Sequence, residues 1–372
     1  MNERRVKNLL DAPSIDEHAE ERVWETVRAA FAEREPLERP RPRLRLALAL
    51  SALAAVAAAA AFSPPGRAVV NAVRRTIGIE HAQPALFSLP APGRLLVAGD
   101  SGAWVVAADG SKRRLGDYPQ ASWSPHGLYV VAAVTNELAA LEPTGHVQWT
   151  LARRQIRFPR WGGTRTDTRI AYLAGSRLHV VAGDSTGDVD AAGLPAAARV
   201  APAWQPTTAD RHVLAYVTTR GRVIVFDTDR GSVRWTSPGY AGARALAWSH
   251  DGAQLALAAK TKVVLFDART GHATTIHVEG VRALAFSPDG RLALLRRHVV
   301  LLRVDGRLHT LFVPPGAIAG LAWSPNSRWL LTELPAADEW VFLQTRDGHR
   351  ILAVSHITAQ FGAFPTLSGW SS

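Results

Sequence analysis

From Gly93 onward the chain is written in short runs of alternating apolar and polar residues, separated by Gly, Pro and Asp. "QLALAA" leads to "KVVLFD", and "HVLAYV" leads to "RVIVFD". Side chains that change face at every residue are those of β-strands, and no 3.6-residue period interrupts them. Ahead of these runs one phrase recurs: "ASWSPHGLYVV" from Ala121, "ALAWSHDGAQLAL" from Ala245, "ALAFSPDGRLALL" from Ala283 and "GLAWSPNSRWLL" from Gly320. Pro at the second and Gly at the fourth position suit a type I turn, which folds the chain back after one strand. A second turn, as in "DARTGHATTI", "DTDRGSVRW" or "EPTGHVQW", carries Gly where a hairpin needs positive φ. Each unit therefore holds four strands.

Aligned on its aromatic, the phrase gives Trp123, Trp161, Trp204, Trp248, Phe286, Trp323 and Phe364, with a mean spacing of about 40 residues. Four-stranded units at that period predict an all-β propeller. The last aromatic has only "PTLSGWSS" after it, while an unclaimed hairpin, "RLLVAGDSGAWVVAADGSKRRL", precedes the first. Each end lacks what the other holds. Joined, they make a blade from both termini, and seven blades is the expected count. The copies at Trp161 and Trp204 are degenerate, so six or eight are the alternatives.

The first 92 residues have a different texture. Residues 1–43 form a charge-mixed segment expected on the cytoplasmic side, where Ser14 and Glu17 make a capping box. Val23, Trp24, Val27 and Phe31 then lie on one helical face, an amphipathic stripe suited to a protein partner or the lipid surface. Residues 44–62 read as a transmembrane helix: the charge-free run from Leu46 to Phe62 rises about 26 Å at 1.5 Å per residue. Four Arg precede it (Arg39, Arg41, Arg43, Arg45), which favours a cytoplasmic N-terminus. A cleaved signal peptide is the rival reading, set against a leading segment of over 40 residues. Residues 63–92 read as a juxtamembrane helix and Pro-rich linker, and 93–372 as the extracytoplasmic propeller.

Composition narrows the chemistry. There is no cysteine, which excludes disulfides, thiolate metal sites and a Cys nucleophile. Of 43 basic residues four are Lys, so 39 are Arg, a bias expected of a GC-rich bacterial genome. The net charge of +11 is spread over turns and strands rather than gathered into a stripe, so nucleic acid is not the expected partner.

The phrases at Trp123–Gly127, Trp248–Gly252, Phe286–Gly290 and Trp323–Pro325 resemble the WD-repeat-like propeller repeats of the Tol-system periplasmic protein (TolB-like), over about three quarters of the chain. No Trp-Asp dipeptide and no preceding α/β domain accompanies them, so that family's partner does not transfer. The turns Asp227…Gly231…Trp235 and Thr144-Gly145…Trp149 resemble quinoprotein-type repeats. Quinone enzymes of that type need calcium and commonly a vicinal disulfide, so a chain without cysteine looks closer to their non-enzymatic scaffold relatives. The layout of short segment, one span and external domain resembles membrane-bound anti-sigma factors, which implies a sigma-factor-like cytoplasmic partner; their His-x3-Cys-x2-Cys signature is missing.

Two serine motifs, "GDSTG" at 183–187 and "GDSGA" at 99–103, lack the strand-to-helix elbow or the partner domain that a nucleophile requires, and read as turns. The His residues show no paired metal spacing, and Asp184, Asp188 and Asp190 read as a solvated loop rather than a calcium site. No catalytic residue, cofactor or metal is expected. The expected function is a membrane-anchored, non-catalytic scaffold or sensor binding a protein or ligand, signalling through the cytoplasmic helix. The alternative is an exported propeller enzyme (a lyase, lactonase or quinoprotein) with its site in the central channel.

Overall fold

The computed structural model describes residues 82–83 and 88–372, apart from 165, 192, 207–211 and 347–349. The chain divides into two units, Met1–Gly78 and Ile79–Ser372. The amphipathic stripe (Val23, Trp24, Val27, Phe31) and the apolar run 44–62 lie outside the described residues. Among the described residues, no helix is long and apolar enough to cross a membrane.

The second unit is a seven-bladed β-propeller, with seven separate antiparallel sheets. Blade 2 is a plain meander of Gln120–Trp123, Val130–Val134, Glu137–Leu141 and Val147–Ala152. Blade 3 runs from Ile156–Gly163 through Thr168–Ala174 and Arg177–Ala182 to a stub, Val189–Asp190. Blades 4, 5, 6 and 7 begin with Ala203–Trp204, Ala245–Trp248, Ala283–Phe286 and Ala319–Trp323 respectively. These first strands touch one another in sequence, and Thr366–Ser371 fills the gap between the last of them and blade 2. They are therefore the inner ring. Apart from one short helix, Ile357–Phe361, and a 3-10 turn, the described chain is strand, turn and loop.

Blade 1 is built from both ends of the chain. Thr366–Ser371 pairs with Arg94–Gly99, which continues into Gly102–Val106 and Lys112–Gly116. Gly93 has φ +105, and a Cβ there would run into the Ser371 carbonyl, so the two ends approach closely where other blades have a turn. The stretch expected to be a linker is partly docked: Ala82–Gln83 adds a fifth strand to this blade, and Leu89 and Ala91 are buried between blades 7 and 1. Apolar residues within a Pro-rich segment found a surface to cover.

The core lies between blades rather than within one layer. In blade 2, Val130 and Ala132 pack toward blade 1, while Val131 and Ala133 pack toward blade 3. The same division fills seven apolar clusters, one at each blade junction. Both faces of the second strands are thus buried, as in Val213–Val217 and Leu292–Leu295. Outer strands such as Ile351–Ser355 keep alternate residues exposed.

The recurring phrase is explained atom by atom. Its serine is buried, and the hydroxyl accepts the backbone N–H that starts the next strand: Tyr129 to Ser124, Gln254 to Ser249, Arg291 to Ser287 and Trp329 to Ser324, all at 2.9 Å. The same hydroxyl donates to Asp251, Asp289 or Asn326 in three of these turns. The fourth residue closes the turn back to the serine carbonyl. The aromatic then spans the blade junction. Trp204, Trp248 and Trp323 each donate from Nε1 to the carbonyl of Arg160, Ala203 and Ala285, which immediately precede the repeat aromatic of the previous blade.

Two placements differ from the sequence reading. Trp161 is not at the end of its strand but two residues inside it. Phe364 precedes its strand, and the residue in repeat register is Trp370, which faces Leu95 as Trp123 faces Val130. The similarity of "AFPTLSGW" to "AWSPNSRW" concealed this shift of six residues, because aromatics stand at both positions.

Candidate ligand pocket between blades 2 and 3

Blade 3 breaks the repeat, and a cavity opens beside it. Its phrase, "RWGGTRTDT", has no Ser-Pro-x-Gly turn, and its outer strand is only two residues long. The turn after Trp161 is instead closed by Thr164 N–H donating to the Asp167 carbonyl at 2.8 Å. Between this turn and the Ser124–Tyr129 turn of blade 2 lies a cavity of about 430 Å³.

Aromatic rings form part of its lining. Tyr129 stacks on Trp161, with centroids 5.9 Å apart and planes 17° from parallel. Tyr129 stays 39% exposed, whereas Trp161 is 9% exposed. Trp149 lines the cavity from the outer strand of blade 2, and its indole donates to the Gly183 carbonyl of blade 3 at 2.9 Å. The Trp161 indole differs from those of Trp204, Trp248 and Trp323: its Nε1–H is buried with no acceptor among the described residues. The same holds for Trp123 and Trp370, so among the inner-strand tryptophans of the described residues these three, on blades 1, 2 and 3, are unlatched.

Polar groups complete the lining. Asp167 and Arg169 form an ion pair within blade 3. The Thr186 hydroxyl (2.6 Å) and N–H (3.0 Å) hold the Asp184 carboxyl below the usual carboxylate range. Gln148, Thr164 and Thr168 add neutral donors and acceptors. Behind the Asp167 turn sits His212, 1% exposed, with Nδ1 2.9 Å from Asp229 and Nε2 3.1 Å from the Asp167 carbonyl. This His–Asp pair has the outline of a catalytic dyad. Its second nitrogen, however, meets a backbone carbonyl rather than a hydroxyl nucleophile.

The other sequence candidates do not converge. Trp123, Trp204, Trp248, Phe286 and Trp323 end inner strands of five different blades. "GDSTG" is the turn between Arg177–Ala182 and Val189–Asp190, with Ser185 at φ +74; "GDSGA" spans a hairpin turn of blade 1. Asp184, Asp188 and Asp190 are held apart: Asp188 accepts from Tyr172 and Arg153, and Asp190 from Arg177. Among the described residues, no group of three or more His, Cys, Asp or Glu could hold a metal ion. His146 and His272 belong to outer turns of different blades, and His349 lies outside the described residues. The pocket residues Tyr129, Trp149, Asp167 and Arg169 were not singled out as a site by the sequence. The available signal was the broken phrase itself, a copy that had lost its turn.

Comparison with known proteins places the fold. The crystal structure of a mitotic checkpoint complex contains a chain 19% identical with a TM-score of 0.52, covering 63% of this chain and 76% of that one. The β-propeller domain of Myceliophteria thermophila Cps50 (Swd1) is 12% identical with a TM-score of 0.51, covering 64% and 86%. Both show shared architecture. No curated protein matches the chain. A family model described as outer membrane protein assembly factor BamB matches residues 80–276, a stretch that includes both quinoprotein-like turns, Thr144–Trp149 and Asp227–Trp235. Since that match takes in more than half of the sequence, the chain belongs to this family of propeller-repeat proteins.

Proposed function

We propose that this protein is a membrane-anchored, non-catalytic binding propeller, with its ligand seat in the pocket between blades 2 and 3. One observation carries the reading: the pocket sets the 39% exposed Tyr129 ring, stacked on Trp161, beside the Asp167–Arg169 ion pair and the Asp184 carboxylate. The family description supports it, since an assembly factor binds rather than turns over. Binding is preferred to the exported-enzyme alternative because the nearest acid–base pair, His212–Asp229, is tied to a backbone carbonyl. The charge-free run within 44–62 supports anchoring, with 1–43 inside the cell and Trp24 the expected anchor for a cytoplasmic, sigma-factor-like partner.

The pocket is tested by thermal-shift screening of the full chain against small polar molecules and short peptides. Stabilisation by at least one compound, lost in Tyr129→Ala, is expected. If every stabilising compound acts equally on Tyr129→Ala, the pocket is not the seat. Protease protection in intact cells tests topology: the propeller should be digested and the N-terminus spared.

A further inference from the structure

We propose that the pocket between blades 2 and 3 binds a neutral carbohydrate. The inference rests on that pocket being the ligand seat and goes on to name the ligand's chemistry.

The carboxylates of Asp167 and Asp184 only accept hydrogen bonds, and the Arg169 guanidinium only donates. A cationic ligand could serve the two carboxylates, but it would face Arg169 with like charge. An anion could serve Arg169, but it would face two carboxylates, one of which accepts from both the Thr186 hydroxyl and N–H. A neutral polyol serves both sets, because every sugar hydroxyl both donates and accepts.

Shape and surface agree. A sugar ring has an apolar C–H face, and the Tyr129–Trp161 stack offers an electron-rich aromatic surface to receive it. Planar polar side chains such as Asp, Arg and Gln148 suit neighbouring hydroxyls on the same ring. The volume of about 430 Å³ lies within the usual range of small-molecule sites, about 300–1,000 Å³.

The test uses the full chain in a sugar-free detergent, applied to an array of immobilised oligosaccharides. Hits are confirmed by titrating the free saccharide against tryptophan fluorescence. At least one saccharide should bind, and Tyr129→Ala should weaken it tenfold or more with an unchanged melting temperature. Gln148→Ala, which removes a neutral donor and acceptor from the lining, should weaken it separately. If no saccharide binds, or the variants bind as well as the parent, the carbohydrate assignment is wrong. Tetramethylammonium and a tetra-alanine peptide serve as controls. Tyr129-dependent binding of either, without any saccharide, would overturn this inference and leave the pocket as the seat. Loss of Tyr129 dependence for every class of ligand would overturn both.

Discussion

Leu95 and Trp370, from opposite ends of the propeller unit, face each other as partners in neighbouring antiparallel strands. Their pairing turns an open row of blades into a ring. Every other blade is covalently continuous through its inner turn, but blade 1 is held at that point by strand pairing and side-chain packing alone. Trp370 packs edge-on against Phe342 of blade 7, which extends the junction across the closure.

Removing residues 366–372 should therefore uncover the edge of Arg94–Gly99 and open the ring. A free β edge invites pairing with another copy. Size-exclusion chromatography should show aggregates, and the melting transition should fall or broaden. A monomeric product with an unchanged transition would mean that closure contributes little.

Trp248→Ala should cost about 3–5 kcal/mol in denaturant unfolding, because a buried ring is lost between blades 4 and 5. Trp248→Phe keeps most of the ring but removes the N–H that reaches Ala203 at 2.9 Å. It should cost less, about 1–3 kcal/mol. A cost below about 1 kcal/mol for the alanine variant would place the ring outside the core.

Ser287→Ala should destabilise blade 6 by about 1–3 kcal/mol, since the fully buried hydroxyl accepts from Arg291 N–H and donates to Asp289. Ser287→Gly would mix this effect with backbone freedom, so alanine is the cleaner probe. Unfolding curves of the two proteins at equal denaturant slope provide the measurement.

Glu333 should make stability fall as pH rises. Its carboxyl is buried at the junction of blade 7 with the closing strand, where Oε1 accepts the Leu367 N–H at 2.8 Å. Burial pushes its pKa from 4.5 up to about 8, against the smaller opposing effect of that hydrogen bond. Between these values the folded protein holds a proton that the unfolded chain has released, so folding weakens with rising pH and levels off above about 8. Each unit of upward shift corresponds to about 1.4 kcal/mol. Melting temperatures from pH 5 to 8 should show this slope in the parent and a shallower one in Glu333→Gln. Identical slopes would assign the pH dependence to other groups.

The fold was legible because its determinants repeat. Ser124, Ser249, Ser287 and Ser324 make the same local hydrogen bond in four turns, and a local bond needs only neighbouring residues to specify it. Alternation in runs such as "QLALAA" marked strands whatever they would pack against. The complementary fragments at the two ends implied a shared blade, although their register was misplaced from Trp370 to Phe364. The short N-terminal strand Ala82–Gln83 was not legible, because two residues carry no period and their place depends on the edge they meet.

The sequence by itself determined the strand pattern, the repeated Ser-led turns and an expected count of seven blades, since these follow from local bonding and from a repeat; the tertiary structure fixed the count at seven sheets. Tertiary structure alone decided which indoles are latched across a junction and where a cavity remains. Trp161 and Trp204 both stand in degenerate copies of the phrase, yet Trp204 finds a carbonyl on the preceding blade, as Trp248 does, and among the described residues Trp161 finds none. Tyr129 and Asp184 are 55 positions apart, and they line one cavity only because blades 2 and 3 pack side by side. Such a site depends on how two neighbouring repeats fit together, and that fit is a property of their packing, not of either repeat's pattern.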